Sequence, residues 1–101
     1  MNFPARKKFE EWLRTQPAET LVGECCSLGR CPLAKFLEFR GAPNPYVRPD
    51  QTALNSCWRP SDGGPRRPLP QWANNFAREV DLYRHSGWIE AGRCLEILSF
   101  I

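Results

Sequence analysis

The sequence predicts an α+β domain that is mainly α: four helices, with a short β-hairpin or irregular Pro/Arg-rich insert between the second and the third. Three observations point there. Four segments place apolar residues at helical spacing. Seven of the ten prolines fall between residues 42 and 70. The chain has 101 residues, 42% hydrophobic and 25% charged, which suits a single small globular domain over 1–101.

The first helix is predicted over 4–15. Pro4 suits a first helical position, because its missing N–H would have no partner there. Ala5, Phe9, Trp12 and Leu13 share one face, and Glu10 and Arg14 form an i,i+4 pair on the other. Pro17 stops the helix by pushing Gln16 out of the helical region. T-L-V-G (20–23) reads as a short extended piece. The second helix is predicted over 32–40. Cys31 caps it, Pro32 sits in its first turn, and Leu33, Phe36 and Leu37 form its apolar stripe. Gly41 follows where a left-handed residue would end it.

In the insert, Y-V-R and A-L-N-S-C-W read as two strands turned around Pro49-Asp50. They need a helix packed on them, since a lone two-stranded ribbon is marginal. S-D-G-G-P is a turn signal, and R-R-P-L-P an exposed extended lead. The third helix is predicted over 70–85, with Trp72, Ala73, Phe76, Val80 and Tyr83 on one face. The fourth is predicted over 89–98, with Ala91, Leu95 and Leu98 aligned. Gly92 inside it costs about 1 kcal/mol relative to Ala. These last two helices are expected to form a tight αα-hairpin, with Trp88 and Ile101 packed inward.

E-C-C-S-L-G-R-C-P-L-A-K-F-L-E-F (24–39) gathers three of the five cysteines. Zinc needs two ligand pairs at short spacing. Cys26 and Cys31 make one pair, and Cys57 and His85 would have to join them from elsewhere. A thiolate at Cys31 would be favoured by the helix start and by Arg30. A cysteine nucleophile also needs a base and an oxyanion site, and His85, the one histidine, belongs to another segment. The preferred reading is a capped helix entry whose cysteines pack, with Leu28 helping to anchor the loop, no cofactor, and zinc as the alternative. No apolar run follows the basic residues at the start, and no stretch approaches membrane-spanning length. A reducing cytoplasm is the expected compartment, and the odd cysteine count argues against a disulfide framework.

Charge is unevenly spread. Between Phe39 and Arg78 six arginines stand against Asp50 and Asp62, a balance of +4, while the rest of the chain totals −1. No phosphate-cradling glycine loop and no paired carboxylates are present, so an enzyme is not expected. Arg48, Arg59, Arg66 and Arg67 are interleaved with Tyr46 and Trp58. Arginine and large aromatics are enriched in interface hot spots, and stiff prolines lower the entropy cost of presenting them. The expected function is a non-catalytic protein-binding module, a small regulator or inhibitor, contacting an acidic protein through these six residues. The alternative is a small nucleic-acid-associated protein using the same arginines on phosphates. Its pI of 8.7 lies below the value near 9 that marks a strong basic footprint.

F-x-x-W-L near the start, C-P-L-A-K-F-L, and L-P-x-W-A-x-x-F followed by V-D and A-G-x-C-L-E-I-L resemble a group of small bacterial and phage-type proteins. The likeness leaves out the middle of the chain and rests on helix starts and core stripes. That group has no assigned activity, so the resemblance implies no catalytic residue. Small size, one domain and no catalytic kit are also features of the inhibitors that mobile elements encode against host defence, such as anti-CRISPR proteins.

Overall fold

The computed structural model describes residues 2–52, 54–60 and 63–101. Among them the order is α1 (Arg6–Arg14), β1 (Leu21–Glu24), α2 (Pro32–Phe39), β2 (Tyr46–Arg48), β3 (Cys57–Arg59), β4 (Arg67–Pro68), α3 (Gln71–Tyr83), β5 (Trp88–Glu90) and α4 (Ala91–Leu98). The helices lie where the apolar spacing puts them, within a few residues at each end. The mainly α reading with one hairpin or irregular insert is overturned. Five strands form two antiparallel sheets, β1-β5 and β2-β3-β4, and the fold is mixed α+β. Strands of two to four residues are too short to show a period of two. The β1–β5 pair also joins segments from opposite ends of the chain, which no local pattern reports.

Phe9 organises the core. Its ring lies 5.2 Å from Phe36, 5.0 Å from Phe76 and 5.7 Å from Trp72, so α1 meets α2 and α3 through it. Leu13, Leu33, Leu37, Ala73, Val80, Ile89 and Leu98 are buried around it. Burying a side chain of this size contributes about 1.5–3 kcal/mol. Arg6 reaches back from α1 to the carbonyls of Leu98 and Ile101, which ties the end of the chain to its first helix.

The expected αα-hairpin does not form. Trp88, Ile89 and Glu90 pair instead with Glu24, Gly23 and Leu21. Ile89 faces the core, and Trp88, on the opposite face of the strand, is 38% exposed rather than packed inward. The helix after it has no side-chain cap. The N–H groups of Ala91 and Gly92 donate to the carbonyls of Thr20 and Ala18 at 2.8 Å each. That contact explains Gly92, since a Cβ there would stand 3.0 Å from the Ala18 Cβ and 3.2 Å from its carbonyl oxygen. Leu28 and Tyr83, expected in the core, are exposed. Tyr83 instead lies between the guanidinium groups of Arg84 and Arg93, at 5.2 and 5.1 Å. The predicted S-D-G-G-P turn and A-L-N-S-C-W strand fall partly outside the described residues, at 61, 62 and 53.

Candidate partner-binding face

The three-stranded sheet is held on the domain by α3. Asn74 is buried on that helix and clamps the β2–β3 loop. Its Oδ1 accepts the Asp50 N–H at 3.0 Å, and its Nδ2 donates to the Asp50 carbonyl at 3.0 Å. Arg78, one turn on, donates to the Gln51 carbonyl at 3.0 Å. The Val47 N–H donates to the Leu28 carbonyl at 2.9 Å, which docks β2 on the loop before α2. Pro68 has no N–H to offer, so it suits the outer strand β4.

Alternation then sorts the side chains. Val47 pairs with Trp58, and both are buried, at 1% and 2% exposure. Tyr46, Arg48, Cys57 and Arg59 take the opposite, outer face. The Tyr46–Arg59 pairing brings the Arg59 guanidinium 5.0 Å from the Tyr46 ring centre, within cation–π range. Arg66 is exposed just before β4. Arg67 pairs with Trp58, and its guanidinium lies 6.0 Å from the indole. Tyr46, Arg48 and Arg59 therefore share one face, Arg66 is exposed at the edge of β4, and Arg67 lies against the tryptophan.

Trp58 corrects the sequence expectation. It is a core residue, with Phe3 edge-on at 6.1 Å, and cannot touch a partner in this fold. Three-residue strands carry no readable period of two, and only the register, which sets Trp58 beside Val47, reveals this. Asn74 was missed because a polar residue beside an apolar helical stripe reads as solvent-facing.

Among the described residues no carboxylate pairs with the arginines of this face. The ion pairs among the described residues are Arg6–Glu10, Lys8–Glu11, Lys35–Glu38, Arg84–Glu90 and Arg93–Glu96. None involves Arg48, Arg59, Arg66 or Arg67.

Cys25, Cys31 and Cys94 behave as packing and capping groups, while Cys26 is exposed and Cys57 lies on the outer face of β3. All five are free thiols. Cys25 and Cys94 are buried in the core. Cys31 caps α2 through its sulfur, which accepts the Ala34 N–H at 3.4 Å. The thiolate that the helix start and Arg30 could have favoured at Cys31 is disfavoured. Burial pushes the Cys31 thiol up to about 11, outweighing the downward pull of the Ala34 and Leu33 amides. Burial likewise pushes Cys94 to about 12. Among the described residues no group of three His, Cys, Asp or Glu side chains could hold a metal, so Cys26, Cys31, Cys57 and His85 do not assemble the zinc alternative. Nor is any described helix long and apolar enough to cross a membrane. No family, curated protein or solved structure matches the chain.

Proposed function

We propose that this protein is a non-catalytic binding module that engages an acidic protein surface through the outer face of β2, β3 and β4. The unpaired arginines carry the reading. Five basic side chains elsewhere, Arg6, Lys8, Lys35, Arg84 and Arg93, find carboxylates within 4 Å; among the described residues Arg48, Arg59, Arg66 and Arg67 do not. Carboxylates on a partner would supply bidentate hydrogen bonds that guanidinium groups are shaped to make. Arg59 is already laid against Tyr46, so less of its rotamer freedom is lost on binding. A module of this size acts by occupying its partner, as a regulator or inhibitor does. Nucleic acid would use the same groups, with phosphates replacing carboxylates and Tyr46 as a stacking surface. The modest excess of +3 favours the protein reading.

The test is capture from source-cell lysate on the tagged chain, with nuclease added to half the sample. The proposal expects a protein that stays bound after nuclease. Loss of all bound material on nuclease treatment would move these arginines to phosphate contacts.

A further inference from the structure

Leu28 is an apolar residue that the sequence reading places in the core and the fold leaves 42% exposed. It does not stand alone. Its carbonyl accepts the Val47 N–H, which sets it against the outer edge of β2. There Leu28 lines a shallow hollow with Gly29, Pro45, Tyr46 and Arg48. Glu38, the one carboxylate lining it, is paired with Lys35 at 3.9 Å. The hollow is too open to enclose a free ligand, but one side chain of a segment anchored beside it can lie in it. Tyr46 and Arg48 belong both to this hollow and to the arginine face, so the two surfaces are continuous.

The arginines have a defined spacing. Arg59 pairs with Tyr46 and Arg48 with Cys57, so Arg48 and Arg59 are diagonal neighbours across the ladder. Diagonal positions lie about 7–8 Å apart. Alternate residues of an extended chain lie about 6.4–6.8 Å apart. Arg59 is on the central strand, Arg48 on β2 and the hollow beyond β2, so a chain crossing the strands meets them in that order. We infer that the partner presents an extended acidic segment with Asp or Glu at alternate positions for Arg59 and Arg48, followed by a large aliphatic or aromatic side chain laid on Leu28 and Tyr46. This rests on the partner-binding reading and names the chemistry of the partner. Charge alone would accept any acidic surface. The exposed leucine adds a demand for one apolar residue beside the charges, which a phosphate chain does not meet.

The experiment selects a phage-displayed library of random dodecapeptides on the intact protein. Enriched peptides should carry two acidic residues at alternate positions with Leu, Ile, Met or Phe close by. One such peptide is then synthesised beside a copy whose apolar residue is Ala, and both are titrated by fluorescence anisotropy. Leu28→Ser changes an exposed side chain and keeps the carbonyl that holds Val47. It should weaken the apolar peptide about three- to tenfold and leave the Ala copy unchanged. Arg48→Glu should weaken both about tenfold or more. Acidic enrichment without an apolar position, or equal effects of Leu28→Ser on the two peptides, would overturn the inference and leave the arginine face standing. No acidic enrichment, or binding indifferent to Arg48→Glu, would overturn both. The library result on the wild type needs no variant to fold.

Discussion

Asn74→Ala tests whether α3 holds the three-stranded sheet in place. The substitution deletes two hydrogen bonds of 3.0 Å to the Asp50 backbone. Each contributes about 0.5–1.5 kcal/mol net, and stranding a buried partner costs about 1–3 kcal/mol more. Asp50 is half-buried, so water recovers part of that loss. The expected destabilisation is about 2–4 kcal/mol, which for a domain of this size is a fall in Tm of about 8–16 °C. Urea unfolding followed by circular dichroism measures it. Asn75→Ala is the control, since Asn75 accepts from Gln71 on the exposed side of the same helix and makes no hydrogen bond to the β2–β3 loop among the described residues. That variant should lose less than about 0.5 kcal/mol. A loss below about 1 kcal/mol for Asn74→Ala, or one equal to the control, would refute the clamp.

Other substitutions probe close approaches and thiols. Gly23→Ala would set a Cβ 2.4 Å from the Pro32 nitrogen and 2.8 Å from the Cys31 carbonyl carbon, against backbone on both counts. Denaturant unfolding should show a loss of about 1–3 kcal/mol or more. Gly92→Ala should fail to return the ~1 kcal/mol that helix propensity promises, because the new methyl meets Ala18; a gain in stability would show that Ala18 can move aside. Cys94 is held protonated in the fold, so its contribution is full below the unfolded thiol's pKa and is lost as pH rises toward about 12. Between pH 8 and 10.5 it should remove about 2 kcal/mol of stability. Urea melts at both pH values should show that loss shrinking in Cys94→Ala.

The helices were legible because their cores repeat at a helical period and because Pro17, Pro32 and Gly41 mark boundaries locally. The cap at Cys31 was legible for the same reason. β1 and β5 were not, because their pairing depends on the chain closing on itself. Trp88 shows the cost: read as a helix-hairpin anchor, it lies on the exposed side of a strand. Of the candidate site, the charge excess and its residues were visible in composition. The separation of Arg48, Arg59 and Arg66 from Trp58 and Arg67 was not, because it depends on strand register. Asn74 was hidden because its value comes from a backbone segment many residues away.

The arginine face is tested most directly by the affinity of the captured partner for the wild type and for a variant carrying Arg48→Glu, Arg59→Glu and Arg66→Glu. None of the three is buried, so helical circular dichroism should be unchanged. At about 1 kcal/mol for each reversed charge, the account predicts binding weaker by about 100-fold. Equal affinity of the folded variant and the wild type would contradict it and place the interface elsewhere on the domain.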